Sequence, residues 1–123
     1  AKYTHHAYLN TTSVKPSDTA LINHISKVEY WELSPLKKNG STKIKLTWDD
    51  RSNVTNPSNL LIAHWDETNR YWEDVGFVTI DINNQSITTS KNSWSKFSPF
   101  TLSSGSNDGS LPVELMEFNA RLR

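Results

Sequence analysis

The heptapeptide LLIAHWD, Leu60 to Asp66, has no face to offer water. Side chains alternate sides along a strand, and here Leu60 and Ile62 fall on one side while Leu61, Ala63 and Trp65 fall on the other. Such a run reads as a central strand sandwiched between two layers. ETN, residues 67–69, then turns the chain into YWEDVG, Tyr71 to Gly76, which makes a hairpin.

Neighbouring segments have the simpler two-sided pattern. In KIKLTWD, Ile44, Leu46 and Trp48 alternate with Lys43, Lys45 and Thr47, the signature of a strand with one buried and one wet face. FVTIDIN sets Val78, Ile80 and Ile82 against Thr79 and Asp81; Asn83 to Gln85 turn it into SITTS, a second hairpin. The run INHISKVEYWELSPL, Ile22 to Leu36, is rich in β-branched and aromatic residues and reads as one long extended stretch. Pro35 and KKNGS close it before Ile44. No stretch of about ten residues has an apolar stripe of helical period. The expectation is an all-β, immunoglobulin-like antiparallel β-sandwich over residues 1–103.

Composition agrees. A chain of 123 residues is one domain, and its five Trp, four Tyr and four Phe supply buried area that a 35% hydrophobic fraction would otherwise lack. Thirteen basic residues balance thirteen acidic ones without a run of like charge, so nucleic acid and anionic lipid are not expected partners. No apolar run approaches the roughly 18 residues of a membrane span, and no leader is visible. Cysteine is absent, which removes disulfides, thiolate catalysis and cysteine zinc sites.

The C-terminal part changes character. SSGSNDGSLP has the composition of a flexible connector, placed at residues 104–112, and VELMEFNARL puts Met116, Phe118, Ala120 and Leu122 on one face of a further strand, residues 113–123. That strand is read as the start of a following domain, with the last strand of this domain as the competing reading. It is also the expected route of any oligomer, because a strand without its own sheet adds to another sheet's edge.

In this order, ISKVEYWEL, IKLTWDD, NLLIAHWD with YWEDVG, FSPFTLSSGS and LPVELMEFNARL resemble a β-rich module near the C-terminus of large secreted and cell-surface proteins of Bacteroidetes-type bacteria, often ahead of a sorting domain for type IX secretion. The resemblance covers nearly the whole chain. It implies an extracellular or cell-surface location, a scaffold or adhesion role, neighbouring domains as partners, and no catalytic motif or cofactor.

His5 and His6 are adjacent and would point to opposite faces of a strand, so with His24 and His64 they read as structural or surface histidines. Asp49, Asp50 and Asn53 form the densest oxygen-ligand cluster and are the calcium candidates, although their spacing fits no EF-hand loop. Nothing in the sequence pairs Asp49, Asp50, Asp66, Glu67, Glu73 or Asp74 as a glycosidase needs, and no constrained serine elbow is present; a non-enzyme is expected. Among the aromatics, Trp48, Trp31, Trp65 and Trp72 read as core. Trp94, in SKNSWSKFS, is the candidate for an exposed sugar-stacking platform, with Tyr71 as its companion; a Trp94 folded back to cap the sandwich is the competing reading. Asp18-Thr19-Ala20 resembles the O-glycosylation pattern of exported proteins in the same bacteria, which makes Thr19 a modification candidate.

The domain boundary is directly testable. Deleting residues 111–123 is expected to leave the melting temperature nearly unchanged and the protein monomeric by light scattering. A loss of about 3 kcal/mol or more, the scale of stripping core side chains, would assign the strand to this domain instead.

Overall fold

The structure is a computed structural model that describes residues 2–6, 8, 13–18, 22, 24–33, 42–55, 57–94 and 99–105. Among these residues nine strands are formed: β1 (Lys2–Thr4), β2 (His24–Ile25), β3 (Tyr30–Glu32), β4 (Lys45–Thr47), β5 (Leu60–Asp66), β6 (Tyr71–Asp74), β7 (Val78–Asp81), β8 (Ser86–Thr89) and β9 (Phe100–Ser104). They build two antiparallel sheets. The larger has the order β1-β3-β9-β5-β6 with β2 also paired to β9, and the smaller has the order β4-β8-β7. Among the described residues the only helical pieces are three 3-10 turns, and none is a helix able to cross a membrane. The all-β, two-sheet architecture expected from the alternation is the one observed.

Strand β5 meets apolar material on both sides, as its sequence demands. Leu60 and Ile62, both wholly buried, face the smaller sheet and join Ile44, Leu46 and Trp48 around β4, Ile87 of β8, and Phe100 and Leu102 of β9. Ala63 and Trp65 face the other way and pack with Ile22, Ile25 and Trp72, closed over by Tyr8 and Val14. The larger sheet therefore lies between two cores. At roughly 25 cal/mol per Å² of apolar area removed from water, each large side chain in them stabilises the fold by about 2 kcal/mol.

The outer core is closed by the N-terminal stretch. Lys2–Thr4 pairs antiparallel with β3, Tyr3 opposite Trp31. Tyr8 sets its ring edge-on to Tyr30, Trp65 and Trp72 at centroid distances of 5.0, 5.6 and 5.9 Å. Farther on, Trp72 N donates to Ser13 O and Lys15 N to Trp72 O, both at 2.8 Å, so residues 13–15 add to the edge of β6 in parallel. One stretch thus occupies both margins of the larger sheet, where unpaired backbone would otherwise invite association.

Three connections share one loop chemistry. An aspartate opens each, and the residue four positions later is left-handed: Asp49 with Asn53 (φ 60°), Asp66 with Arg70 (φ 62°), and Asp81 with Gln85 (φ 51°). In the two hairpins the aspartate carboxylate takes the amide group of an asparagine three residues on, Asn69 Nδ2 at 2.9 Å and Asn84 Nδ2 at 2.7 Å, together with nearby backbone N–H groups. These bonds hold the Asp81 carboxyl below its ordinary range. Gly76, at φ +93°, makes the bend that carries the chain from β6 to the other sheet; the requirement is conformational, because a Cβ there would meet nothing within 4 Å.

The structure corrects the sequence reading in three places. Residues 22–33 do not form one long strand: β2 and β3 are separated by residues 26–29, where Ser26 N bonds Leu102 O, the Ser26 hydroxyl takes Val28 N–H, and Glu29 is turned inward. Ile82, placed on the apolar face by alternation, is 53% exposed because β7 ends at Asp81 and Ile82 already belongs to the loop. Ser104, the first residue of the expected connector, is still in β9 and fully buried opposite Leu60 and His24. The rest of the connector beyond Gly105, the strand 113–123 and the Thr19 candidate lie outside the described residues.

Two substitutions test this account by chemical denaturation. Gln85→Gly should raise stability by about 0.5 kcal/mol, because a left-handed conformation costs a side-chain-bearing residue roughly 1 kcal/mol more than glycine, which offsets the glycine's own entropy. Tyr8→Ala should lower it by about 2–3 kcal/mol, the cost of opening a core; a change within about 0.5 kcal/mol would mean that the second core is not structural.

Candidate functional site

The β5–β6 hairpin pairs His64 with Glu73 and Asp66 with Tyr71. Directly paired residues share a face, so His64, Glu73 and Tyr71 lie on the side of the sheet that looks toward the smaller sheet. His64 is 7% exposed. Its ring stacks on Phe100 at 4.6 Å and 28°, and Trp94 meets it edge-on at 6.0 Å. His64 Nδ1 stands 3.7 Å from Glu73 Oε1, and Lys15 Nζ reaches Glu73 Oε2 at 4.0 Å, an exposed contact worth a fraction of a kcal/mol. An imidazole oriented by a carboxylate is half of a general-base arrangement, but this ring is stacked and enclosed, which keeps substrates from it.

Trp94 is pinned rather than presented. Its indole Nε1 donates to Thr42 O at 2.8 Å, and the adjoining Thr42 N–Asn92 O bond of 2.9 Å ties the segment after β8 to the approach of β4. The ring is perpendicular to Phe100 at 5.1 Å, and the Lys91 ammonium sits 4.7 Å from its centroid. Trp94 is half-buried against the inner core, the folded-back geometry that competed with an open platform. Tyr71, also half-buried, shares the face but makes no ring contact with Trp94.

The acidic candidates are occupied locally. Asp49 caps a 3-10 turn by accepting Arg51 N at 2.8 Å, and the Arg51 guanidinium lies on the same carboxylate at 3.0 Å and holds it below its ordinary range. Asn53 closes that turn, and Asp50 is exposed within it. Among the described residues no group of three or more His, Asp or Glu could hold a metal ion. Asp66 serves its hairpin, Glu67 accepts Trp65 Nε1 at 2.7 Å and pairs with Arg70, and Glu73 and Asp74 point to opposite faces of β6. Burial pushes the Asp74 carboxyl up, with Asp18 adding to the effect.

One polar site went unread in the sequence. Glu29 is 1% exposed and accepts the Tyr3 hydroxyl on Oε1 at 2.8 Å, while its buried Oε2 has no hydrogen-bond partner among the described residues. Burial raises its carboxyl, against the lowering effect of hydrogen bonds from Ser52 and Tyr3. Burial, followed by the Glu29 hydrogen bond, pushes the Tyr3 phenol up to about 12. The available signal was a glutamate set directly between Val28 and Tyr30.

A scan of the chain against protein-family models finds no match, and searches of curated proteins and of solved structures find none either.

Because Trp94 caps the inner core, Trp94→Ala should cost about 2 kcal/mol in a urea titration, and Trp94→Phe about 1 kcal/mol for the lost indole hydrogen bond. Unchanged stability in both variants would mean that the ring is a surface platform.

Proposed function

We propose that the chain is a non-catalytic scaffold or adhesion module of a larger secreted or cell-surface protein, with the neighbouring domains of that protein as its partners. The observation that supports this reading most is where the aromatic residues go. Trp48, Trp65 and Trp72 are buried, Trp31 and Trp94 pack on the inner core, and Tyr8 closes the outer one. Aromatic area spent on both sides of one sheet yields a stiff plate, which suits a spacer between domains. The resemblance to C-terminal modules of type IX-secreted proteins points the same way, and the immunoglobulin-like connection and extracellular location belong to this proposal.

A carbohydrate-binding module is the second reading, favoured by Tyr71 and Trp94 lying on one sheet face with Glu73 and Lys91 nearby. A glycan array and pull-down on insoluble polysaccharides separate the two. The scaffold reading expects no retention of the wild type. Saturable binding that Tyr71→Ala abolishes at an unchanged melting temperature would overturn it in favour of sugar recognition.

A further inference from the structure

Strand β1 is three residues long and sits at the margin of the larger sheet. Among the described residues it is held by its pairing to β3, the contact of the Tyr3 ring with Trp31 at 5.3 Å, the Arg51 guanidinium 5.3 Å from the Tyr3 centroid, and the Tyr3 hydroxyl on Glu29. Glu29 is the unusual member. Its backbone carbonyl accepts the Thr101 hydroxyl at 2.6 Å, which anchors the main chain there, and one of its carboxyl oxygens is buried without a donor among the described residues. A charge on that carboxyl is costly in the closed structure and is relieved when water enters beside Tyr3.

We propose that β1 is a proton-operated latch: it stays seated on β3 while Glu29 holds its proton and lifts from the sheet margin when Glu29 ionises, uncovering the edge of β3 beside Trp31.

The groups that face Glu29 do not reverse this direction. From the N-terminal stretch come Tyr3 and His5, the latter with Nδ1 3.4 Å from the Tyr3 hydroxyl; from the turn before β5 come Asp49, Arg51 and the Ser52 hydroxyl; from β9 comes Thr101, which is uncharged. The Ser52 and Tyr3 hydroxyls and the His5 charge favour ionised Glu29, Asp49 opposes it, and burial outweighs them to leave the carboxyl raised. A group raised in the closed state binds its proton more tightly there than in the open state. The closed state therefore has its full advantage below the ordinary carboxyl value of 4.5, and loses it as pH rises through the closed-state value. Asp74 has the same sign but sits on β6, at the other side of the sheet, and acts on global stability rather than on β1.

Amide hydrogen exchange followed by NMR on the full chain, corrected for intrinsic rates, reads the opening of β1 and β3 with β5 as internal reference. In the wild type the β1 opening constant should rise severalfold from about pH 4.5 to neutral while β5 protection does not follow. Glu29→Gln should flatten that rise, and His5→Gln should keep it. A wild-type profile without the rise, or the same rise in Glu29→Gln, overturns the latch. Should Glu29→Gln fail to fold, Tyr3→Phe decides: it removes the hydroxyl that steadies the ionised carboxyl, so the rise should steepen, and an unchanged profile overturns the proposal.

Discussion

Strand β5 cannot give either face to water, and most of the architecture answers that constraint. A single sheet-on-sheet contact would cover Leu60 and Ile62 and leave Ala63, Trp65 and the neighbouring Trp72 bare, an exposed aromatic patch of the kind that drives association. The smaller sheet covers one side. The other side is covered from within the chain, by Tyr8, Val14, Ile22 and Ile25. The N-terminal stretch is therefore part of the core rather than an appendage, although its own residues are few and mostly polar.

How much of this was legible depends on how local the cause is. The alternation in Lys43–Asp49 and the two-sided apolarity of Leu60–Asp66 survive into the structure because burial acts on each side chain separately: Ile44, Leu46 and Trp48 are inside, Lys45 and Thr47 outside. Ile82 fails because a loop with its own chemistry, anchored on Asp81, ends the strand one residue before the pattern does. The break between β2 and β3 was hidden for a tertiary reason: Ser26 bonds Leu102 in a distant strand, β9, which no window on residues 22–36 contains. The same holds for the candidate site. That Trp94 lies among polar neighbours is visible in sequence; that its indole reaches Thr42 O is not, because the two are 52 residues apart.

The interior is not uniformly apolar, and its polar members are placed where they restrict alternatives. Thr101, Ser103, Ser104, Glu29 and His64 are all buried. Thr101 fastens Glu29, Ser104 faces His24 with Oγ 3.4 Å from Nδ1, and His64 lies against Glu73 and Phe100. A strand whose register slipped by one residue would turn Thr101 and Ser103 into the inner core and Phe100 and Leu102 out of it. These groups add little net stability, but they penalise misaligned arrangements.

Strand β9 is the last described strand, yet it is threaded between β3 and β5. The pairing of His24 with Ser104 spans 80 residues, and Leu60 with Ser104 spans most of the second half of the chain. During synthesis the two hairpins have their partners close in sequence and can form early, whereas the larger sheet lacks its middle until residue 104 has emerged. Up to that moment the inner core lacks Phe100 and Leu102, and Leu60 has incomplete surroundings. The larger sheet therefore closes by insertion of β9 between β3 and β5, two strands already made, rather than by addition at a margin.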